Sequence, residues 1–136
     1  MAKLIRKKHN TNIGVELLFL LRHQRYFYHQ LKILADRQRQ LAGTNSPELL
    51  LEVISKRRKL IDKLWKLNDR LRPIKANWQN LSSQVEPECK AQAHKIVNQV
   101  QEIIGQILAV TPSETTQNLP LHQDRKFDEF FAETQP

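Results

Sequence analysis

"SPELLLEVISKRRKLIDKLWKLNDRLRPIKANWQNLSSQV" (residues 46–85) decides the fold, because a proline stands inside an apolar pattern that otherwise reads as one helix. Leu50, Arg57, Leu64, Leu71, Trp78 and Val85 recur every seven residues. Val53, Leu60, Leu67, Ile74 and Leu81 form a second row beside them. Two rows at this spacing make one apolar stripe on a helix. A helix ending before Pro73 and restarting would be free to change phase, yet both rows stay in phase across it. Pro73 falls on an outward position, where the carbonyl it frees meets water and the ring bends the rod without cutting the stripe. The pattern therefore predicts one kinked helix over residues 47–85.

Upstream, "AGTNSPE" (residues 42–48) is the clearest punctuation in the chain. Gly43 suits the position after a helix end, Ser46 an N-cap, Pro47 the first helical residue, and Glu48 the positive end of the helix dipole. So short a connection makes its flanking helices antiparallel neighbours. The preceding helix, over residues 12–42, carries Ile13, Leu20, Phe27, Leu34 and Leu41 on one row and Leu17, Gln24, Leu31 and Gln38 on another, with Leu21 and Ala35 adjoining. Residues 1–11 read as a basic arm before it. Downstream, "SSQVEPE" (residues 82–88) marks another break, and Cys89, Ala93, Ile96, Val100, Ile103, Ile107 and Val110 keep heptad spacing, widened by Val97 and Ile104. This predicts a third helix over residues 88–110. From residue 111 to 136 periodicity is lost among Gln, Thr, Glu and Pro, as in a disordered tail, apart from the island "KFDEFFAE" with Phe127, Phe130 and Phe131. The fold class expected is all-α: an extended antiparallel three-helix bundle or coiled coil with a kinked long second helix and a loose C-terminal tail.

The chain has 136 residues, 3 glycines and a formal charge of +8, so a polyanionic or acidic partner is in play. Its single cysteine, Cys89, excludes an internal disulfide and reads as a small buried thiol. The apolar run "LLFLL" (residues 17–21) is too short for a signal peptide and far too short to span a bilayer, which gives a cytoplasmic expectation with no membrane insertion. None of the five histidines forms a metal-ligand spacing, and no glycine-rich phosphate loop or isolated carboxylate pair occurs. The expectation is a protein with no catalytic residues, cofactor or metal.

Candidate binding residues come from charge and aromaticity. Lys56, Lys63 and Arg70 form a basic row beside the second helix's seam, while the corresponding row of the first helix, Glu16, His23, Gln30 and Arg37, hardly neutralises it. Nucleic acid is the obvious polyanion, but the basic residues share a helix with the core seam and no stacking platform accompanies them. Trp78 sits on the seam and Trp65 at its edge, where tryptophans are favoured anchors.

The stretch "LLFLLRHQRYFYHQLKILADRQRQLAGTNSPELLLEVISKRRKLIDKLWKLNDRLRPIKANW" (residues 17–78) resembles the FlgN family of flagellar type III export chaperones. The likeness lies in the order: a long first helix, a short polar turn, then an early leucine pair leading into a basic cluster and apolar residues every three or four. It implies a small helical cytoplasmic chaperone, monomeric or weakly dimeric, that holds hook-filament junction (hook-associated) proteins unassembled and brings them to the export apparatus. The basic charge departs from the acidic balance usual in that family. On this reading the seam interrupted by Gln24, Gln38 and Arg57 accepts a partner helix, with Trp65, Trp78, Ile103, Ile107 and the three phenylalanines of the tail contributing. A self-associating structural coiled coil and a basic nucleic-acid-binding protein are the alternatives.

Overall fold

The computed structural model describes the backbone over residues 2–110 and the side chains over residues 13–110. The Phe127, Phe130 and Phe131 island and the expected tail lie outside the described residues. Those described are all-α, with no strand among them. Helix α1 spans Ala2–Ala42, α2 Pro47–Ala76, α3 the single turn Trp78–Leu81, and α4 Pro87–Val110, with a 3-10 turn at Ser82–Gln84.

At 41 residues, α1 is the longest element, about 60 Å at the usual helical rise, and it is the one on which the others pack. Over residues 2–11 the expected separate arm is instead the first turns of α1, since no proline or glycine precedes Gly14 to stop it. Helix α2 runs antiparallel to α1, with Arg57 beside Gln38 and Lys63 over the ring of Phe27. Helix α4 runs parallel to α1, with Cys89 against Gly14, Gln92 against Arg22 and Gln99 against Arg25.

Two partners require two apolar rows, and the sequence of α1 supplies them. Leu20 and half-buried Phe27, Leu34 and Leu41 follow the heptad row expected from the sequence. A second row, Gly14, Leu21, Tyr28 and Ala35, is buried along its whole length. Gly14 faces the α4 side, where a β-carbon would stand at ordinary contact distance, 3.5 Å, from Cys89 Sγ and from Val85 Cγ1. Leu17 and Leu31 lie between the rows. With Ile61, Leu64, Leu67, Leu71 and Ile74 of α2 and Ala93, Ile96, Val97, Val100 and Ile107 of α4 they form one hydrophobic core. Burying such side chains stabilises by roughly 1.5–3 kcal/mol each.

The single kinked helix expected over residues 47–85 is interrupted, though not at the proline. Helix α2 runs through exposed Pro73 and stops at Ala76. Asn77 leaves helical geometry at φ −108° and ψ 20°, and both its N–H, at 3.2 Å, and its side-chain Nδ2, at 3.0 Å, donate to the Pro73 carbonyl. A short amide side chain that competes for a backbone acceptor in this way favours turns over helix. The apolar phase nevertheless survives: Leu71, Ile74, Trp78 and Val85 are all buried, and Leu81 packs against the core. Trp78 therefore reaches the core from a separate turn, α3.

The hairpin turn also differs in detail from its sequence reading. Neither Gly43 nor any other described glycine has positive φ, so the helix end is not closed by a left-handed glycine. Thr44 closes it instead, its N–H donating to the Leu41 carbonyl at 3.0 Å and its hydroxyl to the same oxygen at 2.9 Å. Ser46 occupies the N-cap of α2 but makes no side-chain capping bond, and Pro47 starts the helix as expected.

Candidate partner-binding face

On α1, the side opposite the core should be polar, and it is not. Val15, Phe19, Tyr26 and Ile33 expose 63%, 49%, 57% and 48% of their surface. Steps of four, seven and seven residues put all four within one narrow sector of the helix, interleaved with exposed Arg22 and His29 and half-buried Asp36. An apolar row at heptad spacing on an outward face is the surface a partner helix would cover.

The two edges of this face have different chemistry. Along the α4 edge, Arg22 Nη2 donates to Gln92 Oε1 at 3.3 Å and Arg25 Nη1 to Gln99 Oε1 at 2.7 Å. These bonds pair both guanidiniums with neutral amides, leaving their charges available to an acidic ligand. A cleft of about 530 Å³ opens here, lined by Arg22, Arg25, Tyr26, His29, Ile103 and Glu102 among others. Along the other edge, Phe19, His23 and Phe27 stack as a ladder one turn apart, with centroids 4.3 Å and 6.1 Å apart, and Tyr26 meets Phe27 edge-on. Lys63 of α2 sits 5.8 Å from the Phe27 ring centroid, within cation–π range. A second cleft, about 460 Å³, continues the face toward the hairpin past Ile33, Asp36, Arg37, Gln40 and Leu41.

Among the described residues expected to contribute apolar contacts to a partner, the structure brings only Ile103 into this face, half-buried in the cleft wall. Trp78 and Ile107 are buried in the core and are corrected to packing residues: the separate α3 turn and the close α1–α4 contact leave neither any surface to offer. Trp65 is half-buried and packed against the same core. Lys56, Lys63 and Arg70 are all exposed on α2, but Lys56 pairs with Glu52 on its own helix at 3.1 Å and Lys63 with Phe27, so the row is partly engaged.

Two of the three seam polars, Gln38 and Arg57, do not leave the gap expected of them, while Gln24 is half-buried. Gln38 and Arg57 meet across α1 and α2, the guanidinium donating to the amide oxygen. Burial first, and the neighbouring charge of Arg58 second, hold the Arg57 guanidinium below its ordinary pKa. Gln38 and Arg57 are thus bonded to each other across the seam, although Arg57 Nε is buried without a hydrogen-bond partner.

The sequence reading missed the Val15, Phe19, Tyr26 and Ile33 row, although Phe19, Tyr26 and Ile33 recur every seven residues as regularly as the seam does. Among the described residues no group of three or more His, Cys, Asp or Glu side chains could hold a metal ion, and no helix is long and apolar enough to cross a membrane. No family model, no curated protein and no solved structure matches the chain.

Proposed function

We propose that the protein is a non-enzymatic, cytoplasmic chaperone or adaptor, built as an extended three-helix coiled coil, that binds an amphipathic helix of another protein along the outer face of α1. One observation carries this: Val15, Phe19, Tyr26 and Ile33 form an exposed apolar row on the side of α1 that the core does not use. A row of this kind adds nothing to folding and favours unwanted association, so its use lies in a partner. The partner's apolar residues would sit at helical spacing against this row, with Arg22 and Arg25 meeting acidic residues on its flank. The FlgN-like order of the hairpin names the candidate partners: the helical termini of hook-filament junction proteins, which the chaperone would keep unassembled before export.

The test is a calorimetric titration of the full chain with peptides from those termini. A saturable 1:1 isotherm supports the reading, and absence of binding at high micromolar concentration removes the junction proteins as partners. The same outer row would also serve a self-associating coiled coil. Sedimentation across a hundredfold concentration range separates the two, since a chaperone stays monomeric or weakly dimeric while a structural subunit grows.

A further inference from the structure

The lining of the α1–α4 cleft is complementary to an acidic, aromatic segment, and this chain contains one. Two guanidiniums with neutral partners, Arg22 and Arg25, and the imidazole of His29 line the cleft against the single carboxylate of Glu102. Tyr26 and Ile103 supply its apolar wall. Its complement carries carboxylates on one side and large apolar groups on the other. In "KFDEFFAE" (residues 126–133), Phe127, Phe130 and Phe131 stand at i, i+3 and i+4, the spacing of one helical face, and Asp128, Glu129 and Glu133 outnumber the one lysine.

We propose that residues 126–133 dock intramolecularly in the α1–α4 cleft, the phenylalanines on Tyr26 and Ile103 and the carboxylates toward Arg22 and Arg25. The connection is long enough. Helix α4 is described as far as Val110, four residues beyond Gln106 in the cleft wall, so the cleft opens about 6 Å from the last described residue. The 16 residues from 111 to 126 span at most about 55 Å, several times that distance. Tethering over such a length gives an effective concentration on the order of millimolar, enough to fill a cleft of weak intrinsic affinity. The docked segment covers the α4 edge of the outer face. Its role as a competitor that a partner helix must displace rests on the function proposed above, whereas the docking itself does not.

Disulfide trapping in the full chain tests it. In a Cys89→Ala background, Ala132→Cys is paired either with Gln106→Cys, in the cleft wall, or with Gln101→Cys, exposed on α4 away from the cleft. Both pairs are oxidised in a glutathione buffer at micromolar protein. Docking predicts monomeric cross-linking at least tenfold faster for 106–132 than for 101–132. The difference should disappear on adding Phe127→Ser, Phe130→Ser and Phe131→Ser, and shrink with Arg22→Glu and Arg25→Glu. Equal rates for the two pairs overturn the proposal, as does a product that is mainly an interchain dimer, which would place a second copy in the cleft. Repeating the 106–132 reaction with a junction-protein peptide separates the two ideas. If the peptide does not bind, the functional reading fails while the trapping result stands. If it binds and slows trapping, the segment is its competitor.

Discussion

The two sides of α1 carry similar residues and have opposite fates. Inward, Leu17, Leu20, Leu21, Tyr28 and Leu31 are sealed under α2 and α4; outward, Val15, Phe19, Tyr26 and Ile33 repeat at almost the same spacing and remain uncovered. A helix apolar all round is normally surrounded on every side. Here two neighbours account for one arc of the circumference and leave the other open. The inner face thus stabilises the fold while the outer face is left exposed by the described helices, so changes on the two faces should affect different measurements.

That separation can be broken by experiment, most forcefully from the inside. Trp78→Ala removes a buried ring from the α3 turn and should destabilise by about 3–5 kcal/mol in denaturant titration. A loss under 1 kcal/mol would mean that the turn beyond Asn77 is peripheral to the core. Gln38→Ala takes the amide acceptor from the half-buried Arg57 guanidinium and should cost about 1–2 kcal/mol, largely recovered when Arg57→Met is added, because an apolar pair leaves no cation to satisfy. Gly14→Ala should have the opposite sign. The added methyl meets Cys89 and Val85 at ordinary contact distance, and alanine is the better helix former, so a gain of about 0.8–1 kcal/mol is expected; destabilisation would show that α4 lies closer than the structure has it. Per site the effect is smallest for the triple change Phe19→Ser, Tyr26→Ser and Ile33→Ser, which should move stability by no more than about 0.5 kcal/mol at each position, as at other surface positions.

Much of the inner face was legible in the sequence, since a seven-residue recurrence reports burial wherever a helix packs along its length. The rows of α2 and α4 obey it, and the phase across Pro73 located Trp78 in the core even though the helix stops at Asn77. The stop itself was hidden because it lies in the backbone geometry of Asn77, whose side-chain amide also bonds the Pro73 carbonyl, a local feature that no apolar pattern records. Tyr28 was hidden for another reason. Its row begins at Gly14, a residue without a side chain whose burial becomes visible only once Cys89 and Val85 are seen beside it. The same limitation obscured the outer face: periodicity marks Phe19, Tyr26 and Ile33 as a row but does not say whether the chain's own helices cover it. The family resemblance alone assigns Trp78, whose seam position already points to core packing, and Ile107 to a partner, and a seam that closes internally leaves neither exposed.

The central claim is that the outer face of α1 receives a partner helix, and it is tested most directly by titrating the full chain and its Phe19→Ser, Tyr26→Ser, Ile33→Ser variant with the helical terminal segment of a hook-filament junction protein. The account predicts saturable binding by the unaltered chain and a loss of at least a hundredfold in the variant, about 2.7 kcal/mol, at near-unchanged folding stability. Equal affinity of the two chains would contradict it.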